Sequence, residues 1–138
     1  MSLFNSLFGN SSESDNKDTN QNGLNWNALT ELKQLDAIVE ESAEKPVVIF
    51  KHSTRCSISR MALKNFEREY NLEESEATPY FLDLLEHRDI SSEIAQKFQV
   101  IHQSPQLLLI KNGKSVYDVS HSEIDAEALK SKVETLGN

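Results

Sequence analysis

The sequence predicts an α/β fold, a central mixed β-sheet flanked by helices, and three observations predict it. Short apolar runs rich in β-formers alternate with stretches of helical periodicity from Leu24 onward. Asn112-Gly113 lies between two strand-like runs, the strongest short hairpin signal. A chain of 138 residues suits one core. The elements follow in order. Leu29, Leu32, Leu35, Ile38 and Val39 make a helical stripe that ends before Pro46, which biases its predecessor away from helix. "VVIF", Val47 to Phe50, reads as a buried strand. Ile58, Ala62, Phe66 and Tyr70 repeat every four residues, with Met61 and Leu63 beside them, and predict a second helix after a polar start. Tyr80 to Leu85 predicts another strand. "DISSEIAQKF" predicts a helix with Asp89 as N-cap and Ile90, Ile94, Ala95 and Phe98 on one face. Gln106 to Ile110 and Ser115 to Val119 are strands flanking "KNGK", and a last helix spans Glu123 to Leu136 with Ile124, Leu129 and Val133 apolar.

Early βαβ units require parallel pairing and the late hairpin requires antiparallel pairing. The order β, α, β, α, β, hairpin, β, α is therefore the layout of a thioredoxin-like fold, and a further β-α start between Trp26 and Ser42 completes it. Residues 10–23, "NSSESDNKDTNQNG", hold no large apolar side chain and cannot offset the entropy of ordering. Residues 1–23 are thus expected to be a flexible polar leader and residues 24–138 the domain. Leu3, Phe4, Leu7 and Phe8 have helical spacing, read as a frayed end in preference to a short docking or membrane-surface helix.

A net charge of −8 and a pI near 5.0 lack the electrostatic footprint of a phosphate-binding protein, so no nucleic-acid partner is expected. No apolar run approaches the roughly 20 residues that span a bilayer. The one cysteine has no internal disulfide partner, which favours a reducing cytoplasmic setting. The chain is expected to be a monomer.

That cysteine, Cys56, lies in "HSTRCSIS" between the first clear strand and the next helix. Unpaired N–H groups and the positive end of the dipole at a helix start favour the anionic thiolate, the reactive form of the side chain. Lys51, His52, Arg55 and Arg60 add positive charge nearby in sequence. Most unpaired cysteines are small buried hydrophobes. Here the flanks are polar and the residue opens a helix, which points to chemistry. Three places later stands Ser59, where a dithiol redox site has its second cysteine; its hydroxyl can donate a hydrogen bond to a thiolate but cannot resolve a disulfide. Ser104-Pro105 precedes a core strand, and proline cannot donate to a sheet ladder, so it marks the strand's first residue or a turn.

"IFKHSTRCSIS", followed by "DLLEHRDISSEIAQKFQVIHQSPQLLLIKNGK", resembles the monothiol bacilliredoxins of the YtxJ type, thioredoxin-like proteins of bacteria that use bacillithiol. The similarity covers roughly Trp26 to Leu136. It departs at Ser57, where the family has proline; that loses first-turn rigidity but no reactive atom. The resemblance implies Cys56 as nucleophile, Pro105 as a cis proline lining a thiol-binding groove, and Thr54, Arg55, Ser57, Ile58 and Ser59 as the motif around the sulfur. Ser104 would pair through its backbone with an extended thiol substrate. It further implies S-bacillithiolated proteins as partners and bacillithiol as co-substrate, with no bound cofactor; no metal is expected, because His52, Cys56 and His102 have no ligand spacing. His52 and His102 flank the site in sequence and are read as packing or surface residues. Two alternatives stand beside this reading. One is a monothiol glutaredoxin-like protein, against which "KSVYDVSHSEID" after the hairpin has no glycine pair. The other is a non-enzymatic adaptor or thiol sensor on the same fold.

Overall fold

In a computed structural model the described residues are 24–136. The polar leader, with its Leu3 to Phe8 pattern, and the last two residues lie outside them. The elements are β1 (Asn27–Ala28), α1 (Lys33–Glu41), β2 (Val47–His52), α2 (Ser57–Glu69), β3 (Thr78–Asp83), α3 (Arg88–Lys97), β4 (Gln106–Lys111), β5 (Lys114–Ser120), a 3-10 turn (His121–Glu123) and α4 (Ala126–Leu136). They build one five-stranded sheet in the order β1-β3-β2-β4-β5. β1 and β2 run parallel to β3, while β4 runs antiparallel to both β2 and β5. This is the thioredoxin fold.

Strand alternation sorts the core into two layers. Val48, Phe50, Leu107 and Leu109 face Phe66 of α2 and Leu129 and Val133 of α4. Val47, Ile49, Leu108 and Ile110 face Leu35 and Ile38 of α1 and Ile90 and Ile94 of α3. All six residues of β2 are buried, as a central strand covered on both faces requires. Asn112 and Gly113 have φ of 54° and 75°, the paired left-handed geometry of a two-residue hairpin turn. The hairpin tip docks on the end of α1, where Ser42 accepts from Asn112 N–H at 2.9 Å through its carbonyl and from Gly113 N–H at 2.8 Å through Oγ.

Four local expectations are corrected. Ile58 is not on the core face of α2: it is 60% exposed and Met61 63%. A four-residue repeat drifts about 40° per step on a 3.6-residue helix. The inward face is therefore set by Ser59, Ala62, Phe66 and Tyr70, and Ile58 has rotated out. The strand predicted for Tyr80 to Leu85 is shifted and ends at Asp83, whose side chain accepts from Leu85 N–H at 3.2 Å and turns the chain out of the sheet. That turn starts α3 early, so His87 is the N-cap and Asp89 sits in the first turn, its carboxylate on Ile90 N–H at 2.9 Å. Ile124 is extended, not helical, because the 3-10 turn intervenes, and α4 begins only at Ala126.

Candidate active site

Cys56 is the N-cap of α2, with φ −105° and ψ 122°, and is partly exposed. The chain leaves β2 at His52, turns through Ser53 to Cys56 with Cys56 N–H on the Ser53 carbonyl at 3.2 Å, and enters the helix with Arg60 N–H on the Cys56 carbonyl at 3.0 Å. The thiol thus stands at the N-terminal, positive end of a 13-residue helix. Aromatic packing anchors that helix from below: Phe66 lies 5.5 Å from Phe50 and 6.1 Å from Trp26, whose indole donates to Glu67 at 2.7 Å.

Ser59 is fully buried and holds the loop, not the sulfur. Its Oγ accepts from Ser53 N–H at 3.0 Å and lies 2.8 Å from Nδ1 of His52. Ser59, whose hydroxyl the sequence offered as a donor to the thiolate, thus makes these two contacts. His52 is itself buried, its ring 5.5 Å from that of Phe81, and burial lowers its pKa against the pull of Asp83 and Glu67. The positive charges assigned to the sulfur's neighbourhood divide differently in space. Arg60 is exposed and clasps the Thr54 carbonyl at 3.0 Å, while Thr54, Arg55 and Ser57 are exposed around the loop.

The Ser104-Pro105 bond is cis. Because β2 and β4 are antiparallel and Lys51 pairs with Gln106, the chain after β2 and the chain before β4 emerge at the same end of these two central strands. Cys56 and Pro105 therefore lie beyond the same end of the sheet. Ser104 is half-buried and precedes the strand ladder. An open groove runs along the outer side of α2, lined by Ser57, Ile58, Met61, Asn65, Ser122 and Ile124. Ile58, drawn from the motif, thus serves an apolar surface beside the thiol.

Lys51 is fully buried on the other side of the sheet, its Nζ 2.8 Å from Gln106 Oε1 and 2.9 Å from Nδ1 of His102. The sequence reading missed this cluster. Strand parity reveals it: Lys51 follows Val47 and Ile49 on the α3 side, and Gln106 precedes Leu108 and Ile110 there. Among the described residues no group of three or more His, Cys, Asp or Glu has the arrangement of a metal site. No helix among them is long and apolar enough to cross a membrane.

The sequence profile of the family described as "Monothiol bacilliredoxin BrxC" matches residues 27–129. Among solved structures, one described as an oxidoreductase with a thioredoxin fold is 34% identical, covering 78% of this chain and 91% of that one, with a TM-score of 0.65. The thioredoxin of Malassezia sympodialis is 22% identical over 80% of this chain and 90% of its own, with a TM-score of 0.60. Mitochondrial thioredoxin 3 of Saccharomyces cerevisiae is 17% identical over 80% and 94%, with a TM-score of 0.61. The last two bear on the fold alone.

Proposed function

Because the chain belongs to the monothiol bacilliredoxin family, a thiol redox function is supported, and we propose that it is a thiol-disulfide oxidoreductase that removes bacillithiol from S-bacillithiolated proteins. The observation that carries this reading is the placement of the chain's only cysteine at the N-terminus of α2, at the end of the sheet where the chain enters β4 through Pro105. The Cys56 thiolate attacks the bacillithiol sulfur of the mixed disulfide. The bond between that sulfur and the target's sulfur breaks, its electron pair leaves with the target thiolate, and a proton from solvent restores the target thiol. Cys56 is left joined to bacillithiol. With serine at position 59 there is no internal thiol to complete a second step. An external thiol must attack the adduct, forming a disulfide with the departing bacillithiol and returning Cys56 as thiolate.

The remaining motif residues position this sulfur. Ser59 and His52 fix the loop, Arg60 holds the Thr54 carbonyl, and the backbone at Ser104 and Pro105 flanks the incoming disulfide. The groove at Ile58, Met61 and Ile124 offers apolar surface to the target polypeptide. Cys56→Ser tests the reading: it keeps the fold and abolishes release of the thiol from a bacillithiolated target. Release at the wild-type rate by that variant would rule the mechanism out.

A further inference from the structure

Lys51 is a buried cation that, among the described residues, has no carboxylate beside it: its hydrogen-bond partners there are the amide oxygen of Gln106 and a ring nitrogen of His102. Such a charge is costly unless something repays it. Burial lowers the amine only to about 8, so it is an ammonium at neutral pH and can only donate. His102 Nδ1 must then accept. Burial and the neighbouring Lys51 charge both lower the His102 pKa, so its ring is neutral and carries its proton on Nε2. Ser91 Oγ is 3.5 Å from the same Nδ1, too far to compete for it.

His102 lies on the rim of a polar pocket formed with Arg88, Ser91, Ser92, Ala95 and Gln96 of α3. Among the described residues no acidic side chain lines it, in a chain of net charge −8. The pocket offers a guanidinium, hydroxyls and an imidazole N–H, with a buried ammonium behind the imidazole. Those groups match a carboxylate. His102 is three residues before Pro105 and Arg88 follows the C-terminal end of β3, which runs parallel to β2, so the pocket lies toward the same end of the sheet as Cys56, on the α3 side. The apolar groove of Ile58 and Met61 is on the α2 side and suits polypeptide. A disulfide lying across the sulfur between them would place its small-molecule half toward α3.

We propose that the Arg88, Ser91, Ser92 and His102 pocket, backed by Lys51, is a carboxylate-binding subsite that takes the acidic end of the small thiol transferred to Cys56. This rests on the thiol-transfer reading above, and two measurements separate them. In the first, succinate is titrated into the full chain while the His102 ring resonances are followed by NMR, with neutral succinamide as control. Succinate is expected to shift them saturably and succinamide not, and Arg88→Gln, an exposed substitution, is expected to weaken the response roughly five- to tenfold. Unmoved His102 resonances, or an equal response to succinamide, would overturn the subsite.

In the second, intact mass follows transfer to Cys56 from a disulfide of a carboxylate-bearing thiol and from its methyl ester. The acid is expected to react faster in the wild type. Arg88→Gln and His102→Gln should each narrow the ratio between the acid and ester rates. Equal rates for acid and ester in the wild type would overturn the assignment while leaving Cys56 exchange intact. Transfer from neither, with His102 still responding to succinate, would overturn the thiol-transfer reading and support the carboxylate site.

Discussion

Replacing Ser59 by alanine tests what the half motif is for. The substitution removes a hydroxyl with no solvent exposure that holds Ser53 N–H and His52 Nδ1 together. Ser53 is partly exposed, so water can reach its freed N–H and the loss there is about 1 kcal/mol. His52 is only 5% exposed, and leaving its ring nitrogen without a partner costs about 1–3 kcal/mol. Ser59→Ala should therefore lower the free energy of unfolding by about 2–4 kcal/mol. Urea denaturation followed by the fluorescence of Trp26, the chain's one tryptophan, reads this directly. Exchange at Cys56 should persist in the folded variant and slow only a few fold, because the loop is looser while the sulfur keeps its helix terminus. Unchanged stability with collapsed exchange would refute the reasoning, since it would mean that Ser59 acts on the sulfur itself.

Three further outcomes follow from the geometry. Burial lowers Lys51 from 10.5 to about 8, so between those pH values the unfolded chain binds a proton that the folded chain lacks, and stability rises with pH through this group. The stability of the wild type relative to Lys51→Met should rise by about 3 kcal/mol between pH 7 and 10.5 in parallel urea titrations, and a flat or falling difference would contradict it. Gly113→Ala should cost about 1–2 kcal/mol, because alanine must adopt φ +75° with its Cβ 3.2 Å from Val39 Cγ1, while exchange at Cys56 is unchanged. Trp26→Phe loses the hydrogen bond to Glu67 and part of the aromatic cluster under α2, and should lower the calorimetric midpoint without changing the exchange rate measured in the folded state.

Much of the fold was legible because its signals are local. Asn112-Gly113 announces its turn by chemistry, and "VVIF" announces a strand covered on both faces. What failed was long-range. The face of α2 that points inward is set by Phe66 meeting Phe50 and Trp26, and a repeat of four in the sequence placed Ile58 on the wrong side of it. Asp89 has the chemistry of an N-cap, but Asp83 turned the chain first and moved the helix start upstream. The positions of Cys56 at a helix start and of Pro105 just before a strand were readable from the pattern of elements around them. The direction of Ser59 was not, since a serine at that spacing can face a thiolate or a histidine, and only the packing of His52 against Phe81 decides. Lys51 looked like a charge beside the sulfur. Strand alternation sends it to the opposite face, where Gln106 and His102 receive it.

The central claim is that Cys56 takes a small thiol from a protein adduct. The most direct test is intact-mass spectrometry of the reduced protein after brief incubation with a bacillithiolated target, beside the same target carrying glutathione. The single cysteine makes the site of any adduct unambiguous. The account predicts rapid gain of one bacillithiol on Cys56, with transfer of glutathione much slower. No gain from either target would contradict it and favour a non-enzymatic adaptor built on the thioredoxin fold.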